Sequence, residues 1–196
     1  MIAGSARSRR LEAPPGRGTR PTSDRVREAL FSSLAPVVAD ARVLDLYAGS
    51  GALGIEALSR GAEHAVFVER DPRAAAIISA NLERTGLAAR ATVRRQDAAR
   101  FAGDPIGGPF DLVLADPPYT APIEDVFDLL GELRGAGALA DSAVVVIERD
   151  RRATGDVQSP PWLALERARP YGGTLLLILR VAGETGPQGL GGCDDG

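Results

Sequence analysis

Apolar positions along this 196-residue chain follow two alternating rhythms. "ARVLDLY" (41–47), "HAVFVE" (64–69), "ATVRRQ" (91–96), "FDLVLA" (110–115) and "SAVVVIE" (142–148) are short apolar or β-branched runs, which read as strands. Between them, "GALGIEALSRG" (51–61), "DPRAAAIISANLERTG" (71–86) and "IEDVFDLLGEL" (123–133) space their apolar residues as helices do. Asp71 and Pro72 open the second of these helices and Gly86 closes it; Gly61 stops the first. Upstream, "RPTSDRVREALFSSL" (20–34) predicts a helix capped by Thr22 or Ser23, with Val26, Leu30 and Leu34 on one face and Pro36 as its stop. "WLALERARPYGGTLLLILRV" (162–181) predicts a hairpin about Gly172-Gly173. This alternation implies an α/β, Rossmann-like fold: a mostly parallel sheet with helices on both faces and an antiparallel strand from the last hairpin.

The ends differ from this pattern. Residues 1–19 are rich in Gly, Pro and Arg and form a basic N-terminal arm, in which "RRLEA" allows a short strand. Residues 20–182 form the domain, and the Gly-rich tail 183–196 is expected to be disordered.

Net charge is −3 but unevenly spread. Residues 1–27 hold seven arginines against two acids, a balance of +5, so the remainder carries −8. A basic arm on an acidic body fits local contact with phosphates, or a merely solvated segment. No apolar run spans a bilayer and the first residues lack a signal-peptide core, so no membrane role or secretion is expected. Cys193 is the only cysteine, which fits a reducing cytoplasm. His64 is the only histidine, so no Cys/His metal cluster is expected.

"DLYAGSGALG" (45–54) carries Gly49, Gly51 and Gly54 between a strand and a helix. Glu69 follows 20 residues after Gly49, where an acid can take two ribose hydroxyls. Two ligands compete. A dinucleotide would set its pyrophosphate on the helix N-terminus. Asp45 would repel that group but tolerates the cationic S-adenosylmethionine, which favours the methyl donor; Asp45 can equally order the loop through backbone hydrogen bonds. Asp97 follows the third strand and can meet an adenine amino group or cap "AARFA". Asp116, in "LVLADPPY", follows the fourth strand. The four acids Asp45, Glu69, Asp97 and Asp116 all fall at the strand ends that line the ligand crevice of an open parallel sheet.

"DLYAGSGALGIEALSRGA" with "LVLADPPY" resembles class I S-adenosylmethionine-dependent methyltransferases. With "RPTSDRVREALF" upstream, the chain resembles the RsmD-type 16S ribosomal RNA guanine-N2 methyltransferases from about residue 2 to residue 180. The resemblance implies a seven-stranded sheet with its last strand antiparallel. It implies that Gly49 and Gly51 approach the donor, that Glu69 holds its ribose and that Asp97 meets its adenine. It implies that Arg20, Pro21 and Thr22 help to close the donor site, and that the substrate is the small ribosomal subunit or a late assembly intermediate. The chain departs from the pattern at Tyr171-Gly172-Gly173, where family members often carry Tyr-Gly-Asp.

Amino methylation suits these residues. S-adenosylmethionine would leave as S-adenosylhomocysteine, and no metal is needed. The acceptor amine gains positive charge as it reacts, so acceptors of its N–H bonds assist. Asp116 and the Pro117 carbonyl can serve, with Tyr119 stacking on the base and Pro118 beside it. Arg7, Arg9, Arg10 and Arg17 are the expected contacts to RNA. A monomer is expected. The competing readings are an adenine-N6 or protein-glutamine methyltransferase and an inactive ribosome-assembly binding protein; a nicotinamide dehydrogenase is weaker, since the crevice has no catalytic His or Lys.

Overall fold

A computed structural model describes residues 3–7, 9–13, 21–118, 120–152 and 157–183, with the backbone alone at 21–24. Six helices and seven strands are assigned among them. The helices are α1 (Pro21–Ser33), α2 (Ala35–Val38), α3 (Ala52–Ser59), α4 (Pro72–Thr85), α5 (Ala98–Gly103) and α6 (Ile123–Gly135). The strands are β1 (Arg42–Leu46), β2 (His64–Val68), β3 (Ala91–Arg94), β4 (Phe110–Ala115), β5 (Leu139–Asp150), β6 (Leu163–Tyr171) and β7 (Thr174–Val181).

The strands form one seven-stranded sheet in the order β3-β2-β1-β4-β5-β7-β6. β1 through β5 pair in parallel, and β7 runs antiparallel to both β5 and β6. The sheet has the parallel core that the alternation implies, and the seven strands with an antiparallel last strand that the resemblance implies. Its core splits into two layers because central strands are buried on both faces. One layer packs Leu44, Val66, Val113 and Val145 against α5 and α6 through Phe101, Phe127 and Leu130. The other packs Val43, Phe67, Leu114 and Val146 against α1, α3 and α4 through Phe31, Ile55, Leu58 and Ile78. Each such buried side chain contributes about 1.5–3 kcal/mol.

Local chemistry sets the element ends. The Asp71 carboxylate accepts the N–H of Arg73 and of Ala74, Pro72 fills the first turn of α4, and Gly86 ends it at φ +74. Pro36 differs from expectation. It does not stop α1 but opens α2, where a missing N–H costs nothing. "RRLEA" forms no strand: the Glu12 backbone and the Arg10 carbonyl pair with the side chains of Asn81 and Arg84 in α4, and the Arg9 N–H donates to the Ala6 carbonyl.

The arm is docked where it is described. Ser59 Oγ donates to the Ala3 carbonyl at 2.7 Å and accepts the Ala6 N–H at 2.9 Å, while its carbonyl accepts the Ser5 N–H at 2.9 Å. Gly4 between them has φ +79, and a Cβ there would stand 1.7 Å from the Ser59 oxygen, so only glycine fits. Fully buried Glu56 accepts the Ala3 N–H at 3.1 Å and pairs with Arg60 at 2.8 Å and Arg27 at 3.8 Å. The carboxylate thereby joins the arm, α1 and α3. No helix among the described residues is long and apolar enough to cross a membrane.

Candidate active site

β1, β2 and β4 end level with one another: Leu46 pairs with Val68 and with Ala115. The next residues, Tyr47, Glu69 and Asp116, therefore emerge together at one sheet edge. They line a concavity of about 480 Å³, counting its open mouth, with Gln96, Asp97 and Pro118.

Each acid has its own surroundings. Glu69 Oε2 accepts the Gly49 N–H at 2.8 Å and Oε1 accepts the Asp71 N–H at 2.8 Å. One carboxylate thus orients the glycine loop and the entry to α4, and each oxygen keeps lone-pair capacity toward the concavity. Asp97 caps α5 by accepting the Ala99 N–H at 3.0 Å, and Arg70 lies 4.0 Å from its other oxygen. Asp116 directly follows β4 and is partly buried.

Asp45 stands apart. It lies inside β1 and is buried, and its carboxylate accepts the Gly54 N–H at 2.9 Å beneath the loop. It does not line the concavity. Burial, then the nearby negative charge of Asp116 and Glu69, drives its pKa well above the ordinary carboxylate value, against the lowering effect of the Gly54 hydrogen bond. The backbone-ordering role is the one that the geometry displays. Gly49 and Gly51 sit in the loop at φ +57 and +76, where L side chains are strained.

The Asp-Pro-Pro segment leaves β4 without regular secondary structure. The Pro118 carbonyl accepts the Ala121 N–H at 2.8 Å, whereas the Pro117 carbonyl has no hydrogen-bond donor among the described residues. Tyr119, Arg17 and Arg20 lie outside the described residues, as do the side chain of Thr22 and the tail from 184 onward.

Tyr47 escaped the sequence reading. It is a non-glycine residue at φ +59, held half-buried against the core. Such a strained residue in a cleft is a site candidate. Burial, followed by the nearby Asp97 and Asp125, pushes its phenol up from the ordinary tyrosine value. Nothing in "DLYAG" announces a left-handed Tyr. Asn81 was missed as well. It is fully buried in α4, accepts the Glu12 N–H at 2.8 Å, and donates to the carbonyls of Glu12 and Ser50 at 3.0 Å each. The arm arginines divide. Arg7, Arg9 and Arg10 are all exposed, but only the Arg9 guanidinium among them is seen to donate to the Arg84 carbonyl at the end of α4.

The sheet, the glycine loop and the acid after β4 form the arrangement that the motifs imply. The family model described as "Conserved hypothetical protein 95" matches residues 1–180. The chain belongs to this family, the RsmD-type methyltransferases. The Bacillus subtilis protein YlbH is 38% identical over 189 residues, 93% of this chain and 99% of its own length. Ribosomal RNA small subunit methyltransferase D of Escherichia coli K12 is 42% identical over 151 residues, 76% of this chain and 74% of its own. The solved yhhF structure from Escherichia coli superposes with a TM-score of 0.80 at 36% identity, covering 94% of this chain and 98% of that one. This RsmD-type chain is an S-adenosylmethionine-dependent methyltransferase.

Proposed function

We propose that the chain transfers the methyl group of S-adenosylmethionine to the exocyclic N2 amine of a guanine in 16S ribosomal RNA, within the small subunit or a late assembly intermediate. The observation that carries this reading is the place of Asp116, on the rim of the concavity that Glu69 and Asp97 line. The name of the Escherichia coli relative supports the substrate class. The enzyme acts as a cytoplasmic monomer in this reading.

The residues present fit the donor. Its ribose hydroxyls and adenine amine are hydrogen-bond donors, and Glu69 and Asp97 offer carboxylate oxygens on the concavity wall. Tyr47 closes one side, and in this reading the loop of Gly49 and Gly51, next in the chain, would meet the donor with bare backbone. Arg20 and Thr22 would complete the closure. When bound, S-adenosylmethionine supplies a methyl group on a sulfonium, which is already a good leaving group.

The residues of the chain then act on the acceptor. The lone pair of a guanine amine is delocalised into the ring. Asp116 accepts one of its N–H bonds and the Pro117 carbonyl the other, which localises the lone pair on nitrogen. As the N–C bond forms and the bond from methyl to sulfur breaks, the nitrogen gains positive charge, which the Asp116 carboxylate stabilises without reorganisation before taking up the proton that the nitrogen loses. The two prolines offer no backbone N–H to oppose the amine. Tyr119 stacks on the base, worth about 1–3 kcal/mol. A base must leave its stack, or already be unstacked, to reach this rim.

The test is labelled methyl transfer to small subunits that lack the modification, followed by nucleoside analysis. N2-methylguanosine is expected. N6-methyladenosine would move the acceptor to adenine, and no transfer to RNA would remove the ribosomal substrate.

A further inference from the structure

The sheet order divides the site into two halves. The concavity described above occupies the ends of β1, β2 and β3, with β4 at its boundary. On the other side of β4 stands β5, and the two are not level. β4 ends at Ala115, opposite Ile147, whereas β5 runs on to Asp150. Glu148, Arg149 and Asp150 pair there only with β7, opposite Leu176, Leu175 and Thr174. This overhang leaves its β4-facing edge open beside the Asp116-Pro117-Pro118 segment. A groove lies between them, lined by Pro117, Pro118, Val126, Glu148, Arg149 and Asp150. It shares Pro118 with the donor-side concavity.

We propose that this groove is the acceptor-base subsite, and that Arg149 reads the O6 and N7 edge of the target guanine. The proposal rests on the guanine-N2 reading above and adds the residue that selects the base. A base whose amine meets Asp116 while the donor fills the first concavity must lie on the far side of β4. The groove lies on that side.

Strand alternation sets Arg149 on the face of β5 that Val145 and Ile147 share with α6, and Glu148 and Asp150 on the opposite face with Val144 and Val146. The two carboxylates have local partners: Glu148 accepts the Thr174 hydroxyl at 3.3 Å and Asp150 accepts the Arg152 N–H at 2.8 Å. Among the described residues the half-buried Arg149 guanidinium has neither a hydrogen bond nor an ion pair. Its fork of donors matches the paired acceptors O6 and N7 of guanine. Adenine places an amino group where guanine has O6, so donor would face donor and adenine is rejected. N2 lies across the purine from N7, so Asp116 and Arg149 address different edges of one base.

The test uses the full chain and small subunits lacking the modification. Arg149→Ala is expected to lower kcat/KM by about 10- to 100-fold. Affinity for S-adenosylhomocysteine, read by isothermal titration, stays unchanged. The dependence of subunit binding on salt keeps its slope, and Arg149→Lys fails to restore activity because an ammonium cannot grip two acceptors in a plane. A slope flattened by about 0.7–0.9 with rescue by Lys would make Arg149 a phosphate contact and overturn the proposal. Unchanged kcat/KM in Arg149→Ala would remove the groove from the acceptor path. Failure of the unmodified chain to form N2-methylguanosine would instead defeat the functional reading on which the proposal stands.

Discussion

Asn81 donates to the Ser50 carbonyl of the glycine loop at 3.0 Å, and the same side chain holds the backbone of Glu12 through both its N–H and its carbonyl. The arm and the glycine loop therefore share one fully buried amide. The exposed Arg84 adds a contact to Glu12 from the same helix. The arm is part of the glycine loop's support as well as a carrier of positive charge.

Asn81→Leu removes three hydrogen bonds and strands two carbonyls. Affinity for S-adenosylhomocysteine is expected to fall at least about tenfold. Removal of residues 1–13 should produce a loss of similar size, and the two together little more than either alone. Calorimetric titration reads the affinity, and thermal melting reads the fold alongside. Donor affinity that survives both changes would uncouple the arm from the loop.

Asp116→Ala takes the carboxylate from the rim of the concavity. kcat should drop about 100-fold or more, as when a preorganised charge stabiliser is lost. Donor affinity should stay within about threefold of the unmodified chain. A parallel loss of donor affinity would place Asp116 with the donor rather than with the amine.

Gly54→Ala tests the packing beneath the loop. A Cβ there would stand 2.4 Å from the Phe67 ring and 3.0 Å from Asp45 Oδ2. Phe67 is fully buried and cannot yield without disturbing β2. A destabilisation of about 1–3 kcal/mol is expected in denaturant unfolding. Gly173→Ala serves as the contrast, since nothing lies within 4 Å of a Cβ at that turn; a comparable loss there would show that packing is not what distinguishes Gly54.

Asp45 links stability to pH. Burial raises its pKa above 3.8, so ionisation costs more in the folded chain than in the unfolded one. Its contribution is fully present below the ordinary carboxylate value and is lost as pH rises through the raised one. Asp45→Asn keeps an acceptor for the Gly54 N–H and removes the charge. The variant should melt at or above the temperature of the unmodified chain at pH 8, with a flatter profile above pH 4. A lower melting temperature at pH 8 would mean that the folded site stabilises the ionised carboxylate.

The order of elements was legible along the chain because each carries its own local signal. Alternating periods announced β1 through α6, and Asp71, Pro72 and Gly86 marked α4 to the residue. Pro36 misled, since a proline that ends one helix and a proline that opens the next share one preference for a first turn. The arm misled more. Its glycines and arginines lack any period, and its order comes from Ser59, Glu56 and Asn81, which are 53 to 69 residues away.

The sequence by itself determined that a parallel α/β sheet would present acids at its strand ends, and that "LVLADPPY" would close a strand on a carboxylate without backbone donors. Those are local properties: periodicity, caps and the fixed φ of proline. Only the tertiary structure decided which acids share a surface. Strand register levels Glu69 and Asp116 at one edge and sinks Asp45 beneath the loop. It also sets β5 three residues beyond β4, which brings Arg149 beside the two prolines. Register is a relation between strands, fixed by how two buried layers interlock, and no single stretch of the chain contains it.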